Sequence, residues 1–177
     1  MIVMEYPFSF WQAGQDHEKI PTADATHEEL LDHIVDSGDF WYLLDESTEN
    51  LAAHYYQHAT QYGYYGYRPD RFGDLIVKWK GEPSACFFPY EHATEFDPSV
   101  RSKLIEWLKT DAKDIIFLYG SVDTWTVCQA ILGDNKNVHK YIFEGKHHGS
   151  ARLKNIDEAL KDEILDLVRA AIAPPGE

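Results

Sequence analysis

Residues 115–119 read Ile-Ile-Phe-Leu-Tyr without a polar interruption, and Gly120 ends the run. A stretch this short is strand length rather than helix length. It also lacks the in–out alternation of a strand with one wet face, so it predicts a strand covered on both sides. That requirement constrains the chain to a sheet flanked by helices, the α/β class. A second parallel strand is predicted at Val138 to Phe143. Before the first strand, Asp97 and Pro98 have the cap and first-turn chemistry of a helix start. Val100, Leu104, Trp107 and Leu108 then form one apolar stripe at helical spacing. A final helix is expected from near Asp157, turning Leu160, Ile164, Leu167, Val168 and Ala171 inward and stopping before Pro174-Pro175. From residue 96 onward the pattern is thus helix, strand, helix, strand, helix.

Residues 1–95 differ in character, being rich in aromatics and punctuated by glycine. Thr26 and Glu29 form a capping box, followed by Leu30, Leu31, Ile34 and Val35 at helical spacing. A further helix is expected to begin near Ser47 or Thr48, with Leu51, Ala52, Tyr55, Tyr56, Ala59 and Tyr62 on its apolar face. Gly63 can end it with a positive φ. The run Gly63-Tyr64-Tyr65-Gly66-Tyr67-Arg68-Pro69 and the segment with Pro83, Phe87, Phe88 and Pro89 read as irregular. Aromatics make up 14% of the 177 residues, enough to fill a core or line a binding cleft.

Thirty acidic residues face 16 basic ones, giving a formal net charge of −14. Phosphate-backbone binding needs clustered Lys and Arg, so nucleic acid is excluded as the expected partner. A cationic ligand such as a free peptide amino terminus is compatible with this balance, and so is an acidic solvated surface. Cys86 and Cys128 stand far apart in no metal-ligand spacing, and they fit a disulfide or two thiols equally. No stretch reaches transmembrane length, and the first residues carry no export signal.

The chemistry-bearing residues follow the two predicted strands. Tyr119-Gly120-Ser121-Val122-Asp123-Thr124-Trp125 leaves the first, and His147-His148-Gly149-Ser150 leaves the second. Both therefore lie at carboxyl ends of strands, the edge at which α/β sheets do chemistry. Asp123 and His148 are 25 residues apart, room for one crossover helix and one strand, and they stand in the acid-then-histidine order of an α/β-hydrolase triad. In such a triad the imidazole removes a serine proton, while the carboxylate fixes its tautomer and stabilises the cation. Asp123 is the candidate orienting acid and His148 the candidate base. His147 competes for the role, but Gly149 behind His148 allows a tighter turn. A loop aspartate near a surface histidine pair fits the spacing as well. Ser121 and Ser150 lack the flanking glycines of a Gly-x-Ser-x-Gly elbow, so the nucleophile is not expected in this chain.

These two loops, together with Tyr6-Pro7-Phe8-Ser9-Phe10-Trp11-Gln12, Trp41-Tyr42-Leu43-Leu44-Asp45-Glu46, Gly63-Tyr64-Tyr65-Gly66-Tyr67 and Asp70-Arg71-Phe72-Gly73-Asp74, resemble the secreted bacterial tripeptidyl and prolyl aminopeptidase family of serine peptidases. The resemblance covers nearly the whole chain but only the C-terminal part of a family member. It implies residues 96–177 as the C-terminal part of an α/β-hydrolase parallel sheet and residues 1–95 as a mainly helical cap. It further implies release of short, tripeptide-type peptides from free N-termini, a secreted or periplasmic setting, and an elbow serine on upstream strands. The partners expected are a peptide with a free N-terminus and the upstream segment of the same hydrolase or a second chain. In the cap, Asp45, Glu46 and Glu49 are candidate binders of a substrate ammonium, though acids at a helix start also offset its dipole.

Other classes are weaker. His54 and His58, at i and i+4, could share a metal, but no third ligand follows, and His27-Glu28 lacks the histidine of a metalloprotease motif. Neither a metal nor another cofactor is expected. The alternative to a peptidase portion is a non-catalytic module that binds peptides or a partner chain.

Overall fold

A computed structural model of the chain describes residues 2–38, 40–63, 66–76 and 95–173. It resolves into two compact units, one of residues 1–10 and 18–104, the other of residues 11–17 and 105–177. Cys86, the tyrosines Tyr64 and Tyr65, the segment with Pro83, Phe87, Phe88 and Pro89, and Pro174-Pro175 lie outside the described residues; Cys128 is exposed.

The first unit is helical. Helix α1 spans Ile2–Ala13, α2 His27–Ser37, α3 Asp45–Asn50 and α4 Ala52–Gln57, and α5, Ser99–Thr110, begins in this unit. The sequence reading proposed no helix at α1, because Pro7 stands inside it and its aromatic residues blur any single stripe. The Thr26–Glu29 capping box forms, with the Thr26 amide donating to Glu29 Oε2 at 2.7 Å. The apolar residues behind it face outward more than expected: Leu31 and Val35 are exposed, and Ser37 is the buried residue of α2. The expected tyrosine helix starts earlier than Ser47 and is broken at Leu51, whose ψ of 5° separates α3 from α4. A π-turn, His58–Tyr62, follows α4. This wider turn rotates the register, so that Thr60 is buried along with Tyr55 while Tyr56 is exposed. Gly63 closes the segment at a φ of 81°, a region a side chain would resist.

The core of this unit is partly polar. Met4, Phe10, Tyr55 and Tyr67 are buried, and among them lies Glu5 at 2% exposure. Tyr42 donates to Glu5 Oε1 at 2.7 Å, Tyr67 donates to Oε2, and Ser9 Oγ lies 3.1 Å from the Tyr42 hydroxyl. A carboxylate out of water is tolerable only with donors on its oxygens. These bonds tie α1 to two segments far along the chain.

The second unit holds a two-stranded parallel sheet, β1 (Ile115–Gly120) and β2 (Val138–Phe143), in register from Ile115↔Val138 to Gly120↔Phe143. The alternation of strand side chains splits the core between two faces. Ile115 and Phe117 pack with Leu108 of α5, Ala112 and Val138. Ile116 and Leu118 pack with Phe143, Ala151 and Ile164 of helix α6, Glu158–Ile172. Both faces of β1 are therefore contacted, as the unbroken apolar run requires. Coverage is thinner than expected, for Ile115 to Tyr119 are only half-buried, and of the α5 stripe only Leu108 is fully inside. The expected crossover helix is a 3-10 turn, Thr124–Cys128, followed by irregular chain. Gly133, Asn135 and Asn137 break that stretch. Asn135 instead caps the end of α5, donating to the carbonyls of Leu108 at 2.8 Å and Ala112 at 2.9 Å. At α6 the Asp157 carboxylate accepts from the Leu160 amide at 2.9 Å, and Ile164 is buried, but Val168 and Ala171 stay exposed. The structure is thus helix-rich with a small parallel α/β sheet.

Candidate active site

Two loops leave the same end of the sheet and are bonded together. The Ser121 amide donates to Phe143 O at 3.0 Å and the Val122 amide to Lys146 O at 3.1 Å. Gly120 makes this approach possible, since a Cβ there would meet Lys146 O at 2.1 Å. The Ser121 hydroxyl accepts from the Gly145 amide at 2.8 Å, and the Ser150 hydroxyl accepts from the His147 amide at 2.9 Å. Both serines thus fasten loops, and neither bonds the His148 imidazole among the described residues.

Asp123 opens the 3-10 turn as its cap, its Oδ1 accepting from the Trp125 amide at 3.0 Å. Its other oxygen, Oδ2, lies 2.8 Å from Nδ1 of His148. A carboxylate can only accept, so Nδ1 carries the hydrogen and Nε2 is the nitrogen left to exchange a proton. The Asp123 side chain is 7% exposed, whereas that of His148 is 53% exposed. A dry carboxylate thus holds an imidazole whose body is open to a reactant. His148 is held further by its own backbone: its amide donates to Gln12 O at 3.2 Å, and Arg152 donates to its carbonyl at 2.9 Å. His147 takes another role. Its Nδ1 accepts from the Gly149 amide at 3.3 Å, and its ring sits where a Cβ on Gly14 would come within 2.4 Å.

The cap candidates Asp45, Glu46 and Glu49 belong to the first unit, all exposed on the two turns of α3. The His54 and His58 rings lie tilted at 49° with centroids 4.2 Å apart, and His58 Nδ1 donates to the His54 carbonyl at 2.8 Å. Burial, and then the neighbouring His58, push the His54 imidazole below its ordinary value. Among the described residues no three His, Cys, Asp or Glu side chains are grouped to hold a metal.

The sequence reading of the site did not include Gln12. Its side-chain Oε1 accepts from the Trp125 indole at 3.0 Å, 113 residues along the chain. No local pattern announces such a contact; the only signal was that Gln12 closes one of the family-like stretches.

The chain is similar to known peptidases. A family model described as PS-10 peptidase S37 matches residues 1–173. The prolyl tri/tetrapeptidyl aminopeptidase of Streptomyces mobaraensis is 27% identical over 168 residues, 92% of this chain. The match covers 34% of that protein, so the chain spans about a third of the length of its curated relative. No solved structure matches the chain. No helix among the described residues is long and apolar enough to cross a membrane. As the resemblance to the C-terminal part of such an aminopeptidase implied, the chain belongs to the PS-10 peptidase S37 family.

Proposed function

We propose that this chain supplies the acid and the histidine of a serine aminopeptidase that releases tri- or tetrapeptides from free N-termini. Asp123 orients and His148 acts as general base, then general acid, toward a serine contributed by a segment outside this sequence. The observation that carries this reading is the 2.8 Å contact between His148 Nδ1 and Asp123 Oδ2 at the carboxyl ends of two adjacent parallel strands. Asp123 holds the neutral imidazole with Nε2 unprotonated, so it can take the serine proton as the hydroxyl attacks the scissile carbonyl. Protonated, the same imidazole is stabilised by the buried carboxylate and returns the proton to the departing amine. The C-terminal hydrolase core is assigned to residues 96–177 and a helical cap to residues 1–95. Within that cap Asp45, Glu46 and Glu49 are the carboxylates offered to the substrate ammonium.

The test is a complete family peptidase built by joining this chain to a segment bearing a Gly-x-Ser-x-Gly elbow. Tripeptide release from a substrate with a free N-terminus is expected, with kcat falling about 10⁴-fold in Asp123→Asn because the tautomer is lost. The 177-residue chain alone should show no turnover and no fluorophosphonate labelling at Ser121 or Ser150. Labelling at either serine, or full activity in His148→Ala, overturns the assignment.

A further inference from the structure

We propose that Gln12 is the positioning residue of the Asp123–His148 pair, locking the acid loop and the histidine loop into one closed hydrogen-bond circuit. This inference rests on the catalytic reading above and adds to it a residue more than a hundred positions upstream.

The circuit has four members. Gln12 Oε1 accepts from the Trp125 indole at 3.0 Å, and the Trp125 amide donates to Asp123 Oδ1 at 3.0 Å. Asp123 Oδ2 accepts from His148 Nδ1 at 2.8 Å, and the His148 amide returns to Gln12 O at 3.2 Å. Gln12 thus reaches one loop with its side chain and the other with its backbone. The segment that carries it clusters with the second unit, as residues 11–17. Gly14, at a φ of 70°, has no Cβ to strike the His147 ring, so the same segment also packs on the other histidine of that loop. The geometry accounts for the Asp123 rotamer. One carboxylate oxygen is occupied by the Trp125 amide, which leaves the other aimed at the imidazole. Trp125 is in turn fixed by the amide oxygen of Gln12. Without that oxygen the 3-10 turn of residues 124–128 keeps its own bonds but loses the link that runs through Gln12 to the His148 backbone.

The consequence is a catalytic geometry set by residues far apart in sequence. A displacement of about 1 Å at a general base can cost up to about 100-fold in rate while leaving substrate affinity intact. Gln12→Met removes the acceptor at similar length, and Gln12→Glu keeps an acceptor oxygen in place. In the complete peptidase we expect kcat to fall about tenfold in Gln12→Met with KM within about twofold, and to recover in Gln12→Glu. Trp125→Phe, which removes the donor, should match Gln12→Met, and the double variant should be no worse than either. In the present chain the readout is the His148 ring by nitrogen NMR: the Nδ1–H tautomer should dominate in the native chain and lose part of its population to Nε2–H in Gln12→Met. An unchanged tautomer and unchanged kcat in Gln12→Met, with both altered in Asp123→Asn, overturns the role of Gln12 alone. Full additivity of the two single variants overturns it as well, since it would remove the circuit. A tautomer unmoved by Asp123→Asn would instead overturn the dyad reading. If Gln12→Met does not fold, Trp125→Phe and the Gln12→Glu comparison decide by the same criteria.

Discussion

Single residues in this chain do their work through hydrogen bonds that skip long stretches of sequence. Glu5 shows the stability side of this. Its two oxygens accept from Tyr42 and Tyr67, residues 37 and 62 positions away, at 2% exposure. A hydrogen bond to a charged group contributes about 1.5–3 kcal/mol, and a buried oxygen that loses its donor cannot recruit water cheaply. Tyr42→Phe should therefore lower unfolding stability by about 2 kcal/mol, read as a lower urea midpoint at unchanged slope. An unchanged midpoint would mean the carboxylate is held without that donor. Legibility at this scale followed from how local the rule is. Asp123 and His148 could be named because the ends of α/β strands carry chemistry and the acid precedes the histidine. The choice of His148 over His147 followed from Gly149; in the structure Asp123 Oδ2 lies 2.8 Å from His148 Nδ1. Glu5 and Gln12 could not be named, since their partners are identified by folding and not by spacing.

At the scale of elements, the residues that punctuate were more informative than the stripes between them. Thr26 with Glu29 starts α2, Asp157 starts α6 and Gly120 ends β1. Each acts through its own backbone neighbours, which makes such signals readable from a few residues. Stripes depend on what covers them, and here the stripes of α2 and α5 are only partly covered. The break at Leu51 and the π-turn at His58–Tyr62 also escaped, because one residue of register changes no composition. The capping box yields a prediction with a pH signature. Thr26→Ala should cost about 1 kcal/mol near neutral pH. Glu29 is held below its ordinary value of 4.5, first by the Thr26 amide and then by the Thr26 hydroxyl. A carboxyl depressed in the folded state stabilises above its unfolded value, and that contribution fades as pH falls through the folded one. Part of it comes from the hydroxyl that Thr26→Ala removes. The difference between native and Thr26→Ala melting temperatures should therefore narrow as pH drops below 4.5. A difference that is flat across this range would mean the box acts through the threonine oxygen alone.

At the scale of the whole molecule, the described residues form a sheet of two strands where the composition of β1 calls for more. A two-stranded parallel sheet is narrow for the class, and each strand has an outer edge without a strand partner among the described residues. Such edges invite pairing with another chain. The same unit exposes apolar groups, including Ile142 on β2, Trp107 on α5 and Val127, which is 81% exposed. A contiguous exposed apolar patch beyond a few hundred Å² is uncommon on a soluble monomer. Opposing association is the net charge of −14, whose repulsion reaches about 10 Å at 0.1 M salt and about 3 Å at 1 M. The two effects predict a specific salt dependence. At low ionic strength the purified chain should sediment mainly as a monomer yet bind a hydrophobic dye. Raising the salt should shift it toward larger species as the repulsion is screened and apolar contact is left to act. Co-expression with the segment that precedes it in a family peptidase should abolish both dye binding and salt-driven association, because added strands cover the edge and the faces. A monomer at every salt concentration that binds no dye would overturn this account. It would mean that the aromatic residues of the chain close the core unaided, and it would favour a free-standing peptide-binding module over a portion of a larger peptidase.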